Sequence, residues 1–409
     1  MCGSRQQRAV AYSLPVLFIM TLNNGSHAKG ARFEEILCDK MTSAREGRLV
    51  VRGREIQTPI LWLGHSFKDS IALGSGKRHG PQALLVNTYE VLRRKRVLAA
   101  VRLQGIHKHL GYTGPVMMDS GGFLFQNRRD LKVCPVEVAD LYEEAEAEIG
   151  VALDHPLMPT AHSATNSRRW KLSLRNLHVM MYKVSSCAFM PVVHGYTLRA
   201  LQMACGHVRA IFGEPLLIGI GSLVPLLKAS HLGASFRYRR SDGTEGNHRS
   251  FISDAIKLVR DEFPSSFLHV FGVGGINNVL SIFSLGADSV DSVAWRLKAA
   301  YGAIQLPGMG DRYLSPRPHS QKTRRVLQKD EESVLRQCGC PVCLKHESAN
   351  GQRQELDSSF RARCLHNIWV VNNQVRAFRK SLRARRVHEF IAQHVAVGRH
   401  FPGNFSPTA

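Results

Sequence analysis

The chain has 409 residues, 44% of them apolar, which is enough for one large buried core and a small appendage. No run outside the amino terminus approaches the uninterrupted apolar length of a membrane span. Lys and Arg number 55 against 32 Asp and Glu, a formal charge of +23 that solubility does not call for, so a polyanion is the natural partner and nucleic acid the first candidate.

At the amino terminus, Arg5 and Arg8 precede the apolar stretch 9–22, and Ser26-His27-Ala28 follows it, an arrangement that imitates a secretory signal with its cleavage site. The free-thiol cluster described below belongs in a reducing compartment, which favours a cytoplasmic protein and makes residues 1–43 a variable leader. Residues 47–59 read as a hairpin, with Val50 and Val51 before Gly53 and Ile56 after it, capping one end of the main domain. Eight short apolar runs then follow, at 61–66, 83–88, 116–122, 151–156, 190–195, 216–222, 269–275 and 289–293. Between them, stretches such as 136–149, 197–212 and 250–263 place apolar residues at helical spacing. This alternation predicts an α/β fold, a (β/α)8 TIM barrel over residues 44–320.

The apolar runs end in polar or small groups: Asn87, Asp119, Asp154, His194, Gly221 and Asp291. Each alone is as readily a helix cap or a turn residue. In a barrel, however, the carboxyl ends of all strands open on one face, so these groups predict a single pocket with three carboxylates. Residues 224–249, with Arg237, Arg239 and Arg240, interrupt the rhythm after the sixth run and predict an insertion over the mouth.

Residues 312–325 read as a basic linker into a second module over 321–409. There Cys338, Cys340 and Cys343 fall within six positions, too close for ordinary buried cysteines, and converge on one tetrahedral ion, expected to be a structural zinc. His366 closes the site, with His346 as the competing fourth ligand in a more cramped loop. Beyond it, Val371, Val375, Phe378 and Leu382 form an apolar helical stripe, while Arg376, Arg379, Lys380, Arg383 and Arg386 occupy other faces and are candidates for phosphate contact.

Several of these segments together resemble the tRNA-guanine transglycosylase family over residues 44–373. They are Glu46-Gly47-Arg48 through Thr58-Pro59, Asn87-Thr88-Tyr89, Gly105-Ile106-His107-Lys108, Met118-Asp119-Ser120-Gly121-Gly122-Phe123, Gly272-Val273-Gly274, residues 286–293, and the cysteine knuckle with His366-Asn367. The resemblance implies a pentosyltransferase in which Asp291 attacks the sugar C1′ and expels guanine, after which a 7-deazaguanine attacks the same carbon. It implies that Asp119 handles the purine proton and that Asp154 accepts from the guanine edge. Ser120, Gly221, Ser222 and Leu223 would line the base pocket, Phe123 or Phe125 would stack on the purine, and Asn87 would support the nucleophile.

The chain also departs from the family. Ser292-Val293-Ala294-Trp295-Arg296-Leu297 stands where the bacterial tRNA enzymes carry the stretch that grips the anticodon loop, and His194 replaces their base-pocket Gln. Gly221-Ser222-Leu223-Val224-Pro225 looks closer to the archaeal branch, although these 409 residues are expected to be too few to include that branch's additional RNA-binding domain. These departures point to the DpdA-type branch, which places 7-cyano-7-deazaguanine (preQ0) in DNA with accessory modification proteins. On that reading Arg296 and the arginines of the insertion join the nucleic-acid surface, and a duplex substrate must release its target from the stack. Queuosine- or archaeosine-type exchange in tRNA is the alternative, and a non-catalytic zinc-containing nucleic-acid-binding subunit is a third reading.

Overall fold

The computed structural model describes residues 30–68, 80–127, 132–227, 235–240, 242–316 and 325–395. The signal-like segment 5–28, and parts of the expected insertion and linker, lie outside the described residues. Three antiparallel strands come first: β1 (Arg32–Cys38), β2 (Arg45–Val51) and β3 (Arg54–Gln57), with β2 in the middle. β2 and β3 are the hairpin expected at 47–59, and β1, from the segment read as leader, adds a third strand to it.

The eight apolar runs become β4 (Ile60–Gly64), β5 (Leu84–Asn87), β6 (Val116–Asp119), β7 (Ile149–Val151), the broken strand β8 (Ala188–Met190) and β9 (Val192–Val193), and β10 (Leu217–Ile220). After the small antiparallel hairpin β11 (Arg237–Arg239) and β12 (Glu245–Asn247) within the insertion come β13 (Phe267–Val270) and β14 (Ser289–Ser292). They are ordered β8-β7-β6-β5-β4-β14-β13-β10-β9, and every pairing is parallel. The two ends of this order are halves of one stretch, divided only at Pro191, which has no N–H to give a ladder. Since β8 bonds to β7 and β9 to β10, the sheet closes on itself as a barrel of eight strand positions. Helices such as Lys95–Leu110, Pro135–Ala145, Ser163–Met181, Leu198–Phe212, His248–Glu262 and Ile276–Ser284 alternate with the strands, giving the expected TIM barrel. Two of them are started by side chains that satisfy otherwise unpaired backbone donors. Thr197 Oγ1 accepts from Ala200 N at 3.1 Å, and Asn247 Oδ1 from Arg249 N at 2.9 Å.

Two apolar layers follow from the period-two alternation of the strands. Ile60, Trp62, Leu85, Met117, Ile149, Met190, Leu217 and Phe267 fill the barrel interior and are closed at one end by Leu49, Val51 and Ile56 of the three-stranded cap. Their neighbours, among them Leu61, Val86, Met118, Ile218, Leu268 and Val290, pack outward against the helices. The long helix Phe360–Arg383 contributes Cys364, Ile368, Val371, Val375, Phe378 and Leu382 to this outer layer. A third cluster joins Ile304 and Leu306 of β15 (Ala303–Leu306), the partner of β16 (Gly310–Tyr313), to Leu335, Cys338, Cys340 and Cys343. Among the described residues no helix is long and apolar enough to cross a membrane.

The cap is fastened to the amino-terminal ends of the strands by two buried acids. Asp288, just before β14, accepts from Arg45 Nε and Nη2 at 2.7 Å each, from Arg260 Nη2 at 2.8 Å and from Leu268 N at 2.7 Å. Glu148, just before β7, accepts from Val116 N at 2.7 Å, lies 2.6 Å from Arg54 Nε, and has His107 Nε2 at 3.1 Å. Arg45 and Asp288 are both buried, so removing one charge strands the other away from water. Asp288→Ala is therefore expected to lower stability by roughly 3–5 kcal/mol, the range for breaking a buried ion pair. Urea unfolding checks this, and an unchanged midpoint would show that the cluster does not fasten the cap.

Candidate active site and metal centre

Continuing the inward-facing parity of each strand toward its carboxyl end leads from core residues to polar ones. Leu85 is followed by Asn87, Met117 by Asp119, Val192 by His194, Leu217 by Gly219 and Gly221, Phe267 by His269, and Ser289 by Asp291. The barrel thus brings Asn87, Asp119, His194, Gly221 and Asp291 to one mouth. Asp154 arrives differently, because β7 ends at Val151 and the carboxylate sits in the loop beyond it.

Asn87 and Asp119 are register partners on β5 and β6, and Asn87 Nδ2 donates to Asp119 Oδ2 at 2.7 Å. Gly121 N donates to the same oxygen at 3.3 Å. These bonds favour the charged carboxylate, yet burial, followed by the Asp154 and Asp291 carboxylates, pushes the Asp119 pKa up to about 8. Asp119 therefore holds a proton at neutral pH while facing two other acids.

Asp154 lies against the glycine pair that follows Asp119. Ser120 Oγ donates to Asp154 Oδ1 at 3.3 Å, and a Cβ placed on Gly122 would come within 2.4 Å of that oxygen, so only glycine lets the chain pass so close. On its other side, His194 Nε2 is 3.1 Å from Asp154 Oδ2, while His194 Nδ1 contacts Ser222 Oγ at 2.8 Å. Ser222 adopts a left-handed φ of 66°, strained for a residue other than glycine. Its Oγ accepts from Leu157 N at 2.8 Å and its carbonyl from the Tyr196 hydroxyl at 2.6 Å. Gly221 packs on the His194 ring, and Leu223 is fully buried beneath the turn.

Asp291 Oδ1 accepts from Gly272 N at 2.6 Å, a bond aimed by the left-handed φ of 71° at Gly272. His269 Nε2 lies 3.4 Å from the same oxygen, and His269 Nδ1 is 2.6 Å from Ser289 Oγ. His269 is a site residue that reading the sequence alone misses. Its signal is parity, since it faces inward between Phe267 and the mouth, in register with Ser289 on the next strand.

The aromatic candidates separate. Phe125 is buried edge-on against Tyr89, whereas Phe123, on the short helix Gly122–Asn127, is 57% exposed. The candidate phosphate ligands are also divided. Arg237 and Arg239 are exposed on the β11–β12 hairpin, and Arg240 turns toward the Tyr238 hydroxyl at 3.2 Å. Arg296 lies over the Phe360 ring, Arg376 donates to Asn373 Oδ1 at 2.9 Å, and Lys380 is exposed. Arg379 donates to the carbonyl of Gln57 at 3.1 Å and to Gln82 Oε1 at 2.8 Å, and Arg383 Nε donates to Glu46 Oε2 at 2.8 Å. Those two arginines hold the cap end of the barrel, away from the mouth.

The Sγ atoms of Cys338, Cys340 and Cys343 lie 3.5, 3.6 and 3.5 Å from His366 Nδ1, with all four residues buried. A tetrahedral ion with metal–sulfur bonds of about 2.3 Å and a metal–nitrogen bond of about 2.0–2.1 Å separates sulfur from nitrogen by roughly 3.6 Å, so the donor set fits zinc closely. His366 Nε2 is 3.0 Å from the Gln305 carbonyl, which fixes Nδ1 as the ligand atom. His346, the competing ligand, is elsewhere, 3.7 Å from Glu355.

A parallel barrel with three carboxylates at its carboxyl-terminal mouth and a closed Cys3His centre beside it defines a barrel enzyme with a structural metal module. The chain belongs to the queuine tRNA-ribosyltransferase family, whose model matches residues 38–398. It is 26% identical over 355 residues to the tRNA-guanine(15) transglycosylase of Pyrococcus furiosus, covering 86% of this chain and 54% of that protein. It is 26% identical over 368 residues to that of Archaeoglobus fulgidus, covering 89% and 68%, and 24% identical over 364 residues to that of Methanosarcina mazei, covering 88% and 66%. The chain thus spans about half the length of the Pyrococcus relative.

Both centres can be probed by substitution. Cys340→Ser should reduce bound metal from about one ion per chain to a small fraction, read by elemental analysis, because a tetrahedral site cannot lose a thiolate and stay closed. Asp119→Asn should change the pH dependence of stability. With a folded pKa near 8 against an unfolded value near 4, the native state binds the extra proton, so stability declines as pH rises across that interval. The variant should therefore gain on the parent in melting temperature as pH rises from about 4 to 9, and a gap between the two that stays the same at both pH values would remove the proton from Asp119.

Proposed function

We propose that this protein is a guanine transglycosylase that exchanges guanine for a 7-deazaguanine in tRNA by double displacement. The observation that carries the reading is the pairing, at one barrel mouth, of a proton-bearing Asp119 with an Asp291 carboxylate held by Gly272 N. Asp291 attacks the sugar C1′ as the bond to purine N9 breaks, and the bond's electron pair leaves with the base. Asp119 supplies the proton that the departing guanine takes up. The incoming deazaguanine then returns a proton to Asp119 and displaces Asp291, so the cycle ends with no net proton change. Asp154 accepts from the N1 and N2 hydrogens of the guanine-like edge, with Ser120 and the turn at 221–223 around it and the exposed Phe123 ring stacking on the purine. Zinc in the Cys3His centre holds the carboxyl-terminal module and takes no part in the chemistry.

tRNA is preferred to DNA because the relatives named above all carry tRNA in their names. The DNA substrate suggested by the departures after Asp291 has no comparable support.

Two experiments test the reading. The intact protein should form a denaturant-resistant adduct with tRNA that Asp291→Asn abolishes, with metal content unchanged. Nucleosides from separately purified tRNA and DNA of cells supplied with 7-deazaguanine precursors should show the modified base in tRNA only, and only with intact Asp291. Modified base confined to DNA would reverse the substrate and keep the mechanism.

A further inference from the structure

Asp291 has two carboxylate oxygens, and the protein treats them unequally. Gly272 N and His269 Nε2 both reach Oδ1, at 2.6 and 3.4 Å, and among the described residues no donor reaches Oδ2. His269 is fully buried, as is Ser289, whose hydroxyl is 2.6 Å from Nδ1. A neutral imidazole carries one N–H, so two arrangements exist. With the proton on Nδ1 it would donate to Ser289 and turn the bare lone pair of Nε2 toward an anionic oxygen, which is repulsive. With the proton on Nε2, the Ser289 hydroxyl donates to Nδ1 and Nε2–H donates to Oδ1, so all three buried polar groups are satisfied. The long Nε2···Oδ1 distance is of the kind that shortens when a substrate closes the site.

We propose that His269, set in its Nε2–H tautomer by Ser289, is a positioning residue that binds Oδ1 of Asp291 and leaves Oδ2 as the attacking oxygen. The proposal rests on the assignment of Asp291 as nucleophile. In the first half-reaction the Oδ2–C1′ bond forms as C1′–N9 breaks, and Oδ1 becomes the carbonyl oxygen of the glycosyl ester. Gly272 N and His269 Nε2 still donate to it. In the second half-reaction the incoming base N9 bonds to C1′ as C1′–Oδ2 breaks and charge returns to the carboxylate, where the same two donors stabilise it without moving. His269 neither gives nor takes a proton, so the step balances without it.

The first test measures the single-turnover rate of adduct formation with tRNA in the whole metal-loaded protein, alongside tRNA affinity. His269→Leu should slow adduct formation on the order of 10²-fold, the usual effect of losing one preorganised donor, with affinity unchanged. His269→Gln, whose side-chain amide can donate from nearly the same place, should recover much of that rate. A wild-type rate in His269→Leu, with Asp291→Asn inactive, would overturn the proposal and leave the nucleophile standing. An adduct that persists in Asp291→Asn would remove the nucleophile assignment and the proposal with it. The second test is nitrogen NMR of histidine-labelled protein, which needs neither activity nor a variant that folds. A protonated Nε2 and bare Nδ1 at His269 are expected, and the opposite tautomer would overturn the proposal.

Discussion

Three carboxylates cannot share one mouth while all are charged, and the rest of the site is arranged around that constraint. Asp154 and Asp291 each face the Nε2 side of a buried histidine whose Nδ1 meets a serine, His194 with Ser222 and His269 with Ser289. Among the described residues no imidazole bonds to Asp119. Its donors are one amide of Asn87 and one backbone N–H, and repulsion from the other two acids falls on it. The proton is thereby assigned to one member of the trio, the separation of roles that acid and nucleophile chemistry in one pocket requires. The amide of Asn87 is itself incompletely satisfied, with Oδ1 buried and without a hydrogen-bond partner among the described residues, and it stays in place because Asn87 and Asp119 are paired in register.

Such an arrangement needs a frame that does not yield, and the opposite end of the barrel supplies it. Asp288 and Glu148 sit before strands on opposite sides of the barrel and draw in Arg45 and Arg54 from the cap, while Arg379 and Arg383 of the helix Phe360–Arg383 bind the cap edge from outside. Charge at this end is consumed in ion pairs and carbonyl contacts. A net charge of +23 therefore says little about which cations meet phosphate, since several of the basic residues most conspicuous in the sequence are engaged in holding the fold.

The barrel is legible in the sequence because parallel strands buried on both faces read as short continuous apolar runs, and the candidate site residues Asn87, Asp119, His194 and Asp291 interrupt those runs toward their carboxyl ends. Asp154 is found by the same reasoning although its strand stops at Val151, because the chain continues inward past the end of the ladder. His269 is not legible, since it opens the run 269–275 where the other candidates stand toward the carboxyl end of theirs, and only the register with Ser289 gives it a partner. Phe123 and Phe125 are equivalent by sequence, and only the packing of Tyr89 separates them. Nor can spacing show that Ile304 and Leu306 pack with the cysteines while Cys364 to Leu382 pack on the barrel, which depends on one long helix serving two cores.

That helix also connects the Cys3His centre to the strand that carries Asp291. His366 and Asn367 are adjacent on it, and while His366 joins the three cysteines, Asn367 Oδ1 accepts from Gln305 N at 2.8 Å and Nδ2 donates to the Trp295 carbonyl at 2.9 Å. Trp295 belongs to the helix Ala294–Ala300, which begins three residues after Asp291. The Cys3His centre therefore fixes one residue of a pair whose other member anchors the chain leaving Asp291, the proposed nucleophile. A loosened metal site would be felt first as freedom in residues 292–297 and in the orientation of the Asp291 carboxylate, before the barrel itself lost any of its strands.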